Sequence, residues 1–162
     1  MLSYTQPAAT AAFSFSSFGR ESLTRKLTYA PAPPGYEAVE TKKLEGVQEA
    51  FQEKHYVRKP VDTEFLAYLV ADLKPFLHSV KLIEDFTTPD GRVWRAISFL
   101  CITGNKYLIL FPHHENGETT GHVSMFCLSD GEKPDQKEVD DVAQMVEVFF
   151  RHALHDFYWK KR

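Results

Sequence analysis

The sequence predicts an α+β fold, a two-layer sandwich in which a four-stranded antiparallel meander, about residues 80–129, is flanked by two helices. Apolar residues recur at helical spacing over about 62–78 and again over about 135–158. Between these two regions, four short apolar segments follow one another, separated by turn-forming residues. The composition changes near residue 36, so we expect an extended N-terminal arm (residues 1–36) and a single domain (residues 37–162).

The first amphipathic helix is expected to begin at Asp62, because Asp is a preferred N-cap residue. Its apolar stripe consists of Phe65, Leu66, Leu69, Val70, Leu73, Phe76 and Leu77. Pro75 is expected to end or kink this helix, since proline has no backbone N–H to donate. A shorter helix is also predicted over 44–59, although Gly46 disfavours it.

The C-terminal helix is expected to begin with a capping box formed by Asp135 and Glu138. Its predicted core stripe consists of Val139, Val142, Ala143, Val146, Phe149, Phe150, Ala153 and Phe157. A second line lies away from that stripe and consists of Met145, Val148, His152, His155 and Trp159. An apolar and aromatic line off the core face is typical of a partner-binding surface. The alternative is that the last turn frays and Trp159 folds over the sheet edge.

The strand register can be counted outward if Asn116-Gly117 and Gly104-Asn105 each form a two-residue turn. Leu110 then pairs with Val123 and with Phe99. One face would carry Val93, Ile97, Phe99, Cys101, Leu108, Leu110, Val123, Met125 and Cys127. The other would carry Trp94, Ala96, Leu100, Ile102, Tyr107, Ile109, Phe111, Phe126 and Leu128.

Both faces of this sheet are therefore predicted to be apolar, whereas a sheet with one solvated face alternates apolar and polar residues. The helices can cover one face. The second face needs the N-terminal arm, the short helix or another molecule, and this need predicts an interaction protein.

The two cysteines, Cys101 and Cys127, are predicted to share one face at a distance of two strands. Two strand spacings amount to about 9.5 Å, which exceeds the limit of about 7 Å for a disulfide. We therefore expect two free, buried thiols, in keeping with the cytoplasm or another reducing compartment.

The N-terminal arm is rich in Ala, Ser and Pro and contains a single acidic residue, Glu21. Phe13 and Phe15 are two residues apart, the spacing of a strand with one apolar edge, and Phe18 follows. These aromatic residues predict an arm that docks on a partner. The alternative is a tail or an organelle transit segment, since the arm is also Ser-rich, Arg-bearing and poor in acids.

Histidines and glutamates surround the predicted Asn116-Gly117 turn. In the counted register, His113, Glu115, Glu118 and His122 fall on one face, where two imidazoles and two carboxylates could bind a transition metal. The alternative is the solvated end of a hairpin, because no dense ligand spacing such as HExxH supports a site. We favour the solvated end and expect no cofactor.

The sequence contains no dinucleotide-binding, P-loop or nucleophile-elbow motif. A formal charge of −3 argues against nucleic-acid binding, and no apolar run is long enough to span a membrane. We expect a non-catalytic protein-protein interaction module, such as an adaptor, a chaperone-like protein or a small subunit of an assembly, bound to a protein partner or to its own copies. The alternative is a small metal-dependent enzyme that uses the His113/His122 hairpin. Secretion-chaperone-like and PsbP/Mog1-like domains have a similar outline, but that analogy is architectural and no motif here carries it.

Overall fold

The computed structural model describes residues 29–56, 63–112, 122–128 and 133–157, and these form three helices and one five-stranded antiparallel sheet. The helices are α1 (Lys43–Tyr56), α2 (Thr63–Leu73) and α3 (Gln136–His155). The strands are β1 (Glu37–Ala38), β2 (His78–Thr87), β3 (Val93–Leu100), β4 (Lys106–Pro112) and β5 (Ser124–Leu128). The strand order is β1-β5-β4-β3-β2. The predicted α+β two-layer fold is confirmed, with β1 as a fifth strand.

Helix α2 ends at Leu73, two residues before Pro75, so the predicted helix end is confirmed while the predicted range to residue 78 is too long. The Leu73 carbonyl accepts hydrogen bonds from the backbone N–H groups of Phe76 and Leu77, at 3.0 and 3.1 Å. These bonds form a turn that leads directly into β2 at His78. Phe76 thereby leaves the helical stripe and becomes exposed.

Helix α1 forms although Gly46 lies in its first turns, and Gly46 faces α3. A Cβ atom at Gly46 would overlap the carboxylate of Glu147 on α3. The Gly46 carbonyl also accepts a hydrogen bond from Nη2 of Arg151 at 3.2 Å. Gly46 therefore leaves room for the Glu147 side chain between the two helices, in spite of its poor helix propensity.

The predicted capping box of α3 is confirmed for Asp135 and wrong for Glu138. Asp135 is the N-cap residue, and its side chain accepts a hydrogen bond from the backbone N–H of Lys137. The Glu138 carboxylate instead accepts hydrogen bonds from side chains of the β3–β4 segment: Thr103, Asn105 and Tyr107. In the core stripe of α3, Phe149 and Phe157 are partly buried and the other predicted residues are buried.

The predicted strand register is wrong for β4. Leu110 pairs with Ser124 on β5 and with Ala96 on β3, not with Val123 and Phe99. The β3–β4 connection is a three-residue loop, closed by a hydrogen bond from Cys101 N–H to the Asn105 carbonyl. Gly104 has a φ of 97°, which suits the left-handed position of such a loop. The Asn116-Gly117 turn lies outside the described residues.

The new register turns β4 over, so its side chains exchange faces relative to the prediction. The face that packs on the helices carries Ile97, Phe99, Cys101, Tyr107, Ile109, Phe111, Val123, Met125 and Cys127. The second face carries Trp94, Ala96, Leu108, Leu110 and Phe126, and all five are buried. The prediction of two apolar faces is confirmed.

Residues 29–36, which we call the strap, cross the second face. Ala30 and Tyr36 pack against its apolar cluster. The strap ends in a turn in which Tyr36 N–H donates to the Pro33 carbonyl at 3.0 Å. Gly35 has a φ of 85°, as position three of a type II turn after proline requires. The chain then enters β1, which pairs with β5.

Two contacts hold the start of the strap at one end of the sheet. The Tyr29 ring stacks on His122, with centroids 4.4 Å apart and planes within 9°. The Tyr29 carbonyl accepts a hydrogen bond from Nη2 of Arg92. Arg92 in turn pairs with Asp90 at 2.7 Å and lies over the Trp94 ring at 5.0 Å.

Candidate protein-binding surface

Helix α3 contacts the sheet, α1 and α2, and one side of it remains open to solvent. Its buried residues, Val139 to Ala153, face the main core. Glu147 and Arg151 lie toward α1. The predicted line from Met145 to His155 follows the remaining side, because these residues are spaced by three or four positions.

The apolar part of this open side is what we call the outer α3 surface: Met145, Val148, Phe149 and His152 of α3, with Phe76 beside them. Val148 is 52% exposed and Phe76 is 60% exposed. The Phe76 and Phe149 rings are in contact, with centroids 5.2 Å apart and a tilt of 36°. Met145 and Phe149 are partly buried against the main core. Exposed apolar side chains thus rest on a layer that the core holds in place.

The histidines at the end of α3 surround one carboxylate. Nε2 of His152 lies 3.3 Å from Oδ2 of Asp156, and Nδ1 of His155 lies 3.6 Å from Oδ1. Tyr68 of α2 donates to Oδ2 of Asp156 at 3.5 Å. Partial burial raises the pKa of Tyr68, and the neighbouring carboxylates of Asp156 and Asp72 raise it further. This cluster fastens the end of α3 to α2 and places two exposed imidazoles beside the apolar residues.

A groove of about 1130 Å³ lies between the β1–β5 edge and the first turns of α1 and α3. Three of its polar side chains form hydrogen bonds to neighbouring groups: Thr41 donates to Asp140, Gln136 donates to the Glu40 carbonyl, and Gln48 accepts from Val123 N–H. The hydrogen bonds from Thr41 and Gln136 hold the pKa of Asp140 below its usual range. These three side chains therefore connect the segment after β1, α1, α3 and the start of β5.

The predicted metal-binding hairpin lies mostly outside the described residues, which include His122 but not His113, Glu115 or Glu118. The His122 ring stacks on Tyr29. Across the described part of the chain, no group of three or more His, Cys, Asp or Glu side chains is arranged to hold a metal ion.

Cys101 and Cys127 are free and buried, as predicted. Burial raises the pKa of Cys101 to about 12, with a further contribution from Glu138. Burial also raises the pKa of Cys127. Because the thiolate is the nucleophile, two thiols that stay protonated near neutral pH are poor catalytic groups.

The structure brings together four of the predicted partner-binding residues, Met145, Val148, His152 and His155, along one side of α3. Phe13, Phe15, Phe18 and Trp159 lie outside the described residues. Phe76 was missed, because it was counted in the core stripe of the preceding helix. Pro75 was the available signal, since a residue after a helix-ending proline no longer follows the helical period.

None of the helices in the described ranges is long and apolar enough to cross a membrane. Comparison of the chain with protein-family models, with curated proteins and with solved structures gave no match.

Proposed function

We propose that this protein is a non-catalytic protein-protein interaction module that binds a partner protein, or its own copies, through the outer α3 surface. The observation that carries the proposal is the exposure of Phe76 and Val148, both more than half exposed, together with the contact between the Phe76 ring and Phe149 of α3. Clustered apolar side chains of this kind are unfavourable in water and mark interaction sites more often than single exposed residues do.

The setting of this surface suits protein binding. Aromatic residues and methionine are enriched at protein interfaces, and Phe76, Phe149 and Met145 supply both here. Helix α3 is held by the sheet below it and by a helix on either side. A surface on so constrained an element loses little conformational freedom on binding, which favours affinity.

The chemistry of the polar side chains supports a non-catalytic role. The carboxylates of Glu138 and Asp140 are engaged by hydroxyl and amide donors, and their pKa values lie below the usual range. Carboxylates held in the ionised form by two or three hydrogen bonds, as Asp140 and Glu138 are, serve as structural acceptors, whereas general acids and bases work best with pKa values near the operating pH.

The sequence also predicts that the N-terminal arm and the second sheet face take part in partner binding. Docking through Phe13, Phe15 and Phe18 stays a prediction, since these residues lie outside the described ranges. The strap occupies part of the second face of its own sheet. The outer α3 surface is therefore the better supported place for a partner.

Affinity purification from the native source tests this function. Three baits are compared: the parent chain, the double variant Phe76→Ser/Val148→Ser, and the control Ile102→Ser. Ile102 is 91% exposed and belongs to the β3–β4 loop. Thr103 of this loop bonds to Glu138, which lies about 15 Å along α3 from Val148. We expect the parent and the control to retain the same partner and the double variant to lose it. Equal retention by all three baits would contradict the proposal.

A further inference from the structure

The open side of α3 is centred on Val148. An α-helix turns by about 100° per residue, so six positions of α3 lie within about 40° of one line that runs along the helix through Val148. All six residues are exposed. We call this line the α3 midline, and it consists of Lys137, Asp141, Gln144, Val148, His152 and His155. Met145 and Arg151 lie about 60° away on either side and are partly buried. The midline is therefore the crest of the exposed side.

The α3 midline is complementary to its own sequence in reverse. Asp141 lies seven residues before Val148 and His155 seven residues after it, while Gln144 and His152 lie four residues before and four after. If two copies of α3 pack antiparallel with Val148 facing Val148, each Asp141 faces a His155 and each Gln144 faces a His152. A carboxylate and an amide then meet imidazoles on both sides of an apolar centre. Such self-complementarity is what a twofold interface requires.

The charges favour the antiparallel over the parallel arrangement. Parallel packing would place Asp141 against Asp141 and His155 against His155, and like charges that face each other are destabilising. It would also align the two helix dipoles. Antiparallel packing brings helix ends of opposite partial charge together.

The side chains that would meet at the ends of this contact are accessible. Nδ1 of His155 lies 3.6 Å from Oδ1 of Asp156, so Nε2 is the ring nitrogen left for a partner. A protonated imidazole donates from both nitrogens. It can therefore bond to Asp156 of its own chain and to Asp141 of another copy. The Asp141 side chain is 67% exposed, and its ion pair with Lys137 at 3.3 Å is of the exposed kind that contributes little.

We propose that two copies of this chain form an antiparallel dimer through the α3 midline, with Val148 of both copies at the twofold axis. This inference rests on the proposed function, because it names the partner of the outer α3 surface as a second copy of the chain. The observation that selects a second copy is the symmetry of the polar residues about Val148. A partner of another kind would require no such symmetry.

The small size of the contact determines how strong the dimer is. The midline from Asp141 to His155 is about 21 Å long, and helices in contact lie about 8–10 Å apart. A strip of these dimensions covers much less than the roughly 800 Å² per partner of a stable interface. The dimer is therefore weak and forms reversibly as the protein concentration rises.

Sedimentation velocity of the purified full chain tests for the dimer, at about pH 6, where imidazoles are largely charged. We expect a shift from monomer to dimer between about 10 μM and 1 mM. Val148→Asp places two carboxylates face to face at the axis and should weaken the dimer at least tenfold. The control Ile102→Asp adds the same charge at another exposed position and should leave it unchanged. A parent that stays monomeric, or equal dimerisation of Val148→Asp, would overturn the proposal.

Charge exchange between two variants tests the register. Asp141→Lys and His155→Glu each place like charges opposite one another at both ends of the dimer, so each variant alone should dimerise about tenfold more weakly than the parent. An equimolar mixture of the two should dimerise about as well as the parent, since opposite charges meet at both ends. Positions 141 and 155 are about 21 Å apart along one helix, so this rescue cannot occur within one chain. A mixture no better than its components would overturn the proposal.

The outcomes separate this inference from the proposed function. A parent that stays monomeric, while the affinity purification retains a different protein, would overturn the dimer and leave the proposed function in place. A monomeric parent whose baits retain no protein would overturn both.

Discussion

Glu138 joins three parts of the molecule through one carboxylate. It accepts hydrogen bonds from Tyr107 at 2.5 Å, from Asn105 at 2.8 Å and from Thr103. Partial burial alone would raise its pKa, but the three hydrogen bonds together outweigh burial and lower it. Burial, followed by the hydrogen bond to Glu138, raises the pKa of Tyr107. The first turn of α3 and the β3–β4 loop are therefore held by an ionised acceptor and a protonated phenol.

Replacing Glu138 by Gln should lower the free energy of unfolding by about 1–2 kcal/mol at pH 7, because charge-assisted hydrogen bonds become neutral ones. A group whose pKa is lowered on folding contributes stability above its unfolded pKa, about 4.5 here, and loses it as the pH falls through the folded value. The deficit of the variant should therefore shrink on acidification below pH 4.5.

Urea unfolding at pH 7 and at successively lower pH measures both effects. Glu37→Gln, at an exposed position of β1, is the matched control and should unfold like the parent. A deficit for Glu138→Gln that stays constant down to the acid limit would mean that ionisation of Glu138 contributes nothing to stability.

At the scale of elements, β2 contains a strained backbone conformation that its sequence does not predict. Ser79 has a φ of 51° and lies where the β2–β3 register shifts between His78 and Lys81. A β-bulge of this kind places one residue in the left-handed region, where a side chain costs about 1–2 kcal/mol.

Ser79→Gly should therefore stabilise the protein by about 0.5–1 kcal/mol, since relief of the left-handed conformation exceeds the entropy that glycine costs. Thermal or urea unfolding measures this change. The control Ser124→Gly, in the regular part of β5, should destabilise by about 0.5–1 kcal/mol. Destabilisation by both substitutions would show that the bulge does not strain Ser79.

The α1–α3 contact gives a second prediction at this scale. Gly46→Ala raises helix propensity by about 1 kcal/mol, but its methyl group would meet the Glu147 carboxylate. In a Glu147→Ala background that obstacle is gone, so the stabilisation by Gly46→Ala should be larger there than in the parent. Unfolding of the four proteins of this double-mutant cycle gives the coupling; a coupling of zero would mean that the Glu147 carboxylate does not oppose a methyl group at position 46.

The elements also show how far the sequence predicts the fold. The existence and type of the long elements follow from periodicity, as in α2 and α3. The pairing of the strands does not follow from periodicity, because it depends on the conformation of Gly104 in the loop between β3 and β4. Gly104 ends a three-residue loop instead of starting a two-residue one, and a pairing shift by an odd number of residues moves every side chain of β4 to the other face.

For the whole molecule, the apolar character of both sheet faces was predictable, because it depends on the segments being apolar throughout and not on register. For Phe76, Pro75 indicates that the residue leaves the helical stripe, but the sequence does not indicate that its side chain becomes exposed. Its exposure depends on the turn that follows Leu73, where two backbone bonds to one carbonyl direct the chain into β2. The sequence thus predicts that the domain has more apolar surface than its own helices cover. The tertiary structure determines which residues form that surface.

The core beneath the outer α3 surface allows binding and folding to be separated. Phe150 is fully buried, stacks on Phe111 at 5.7 Å and contacts Phe65 edge-on at 5.3 Å. Phe150→Ala should cost about 3–5 kcal/mol of stability. Val148→Ser, two residues away on the opposite, exposed side of α3, should cost well under 1 kcal/mol. Similar losses of stability for both, measured by urea unfolding, would place Val148 in the core.

The most direct test of the central claim is photo-crosslinking in the native cells, with a benzoylphenylalanine in place of Val148 and, in a parallel chain, in place of Ile102. The outer α3 surface predicts a discrete adduct with one protein, or with a second copy of the chain, from position 148 and not from position 102. The absence of an adduct at 148, or the same adducts from both positions, would contradict the claim that this surface binds a partner.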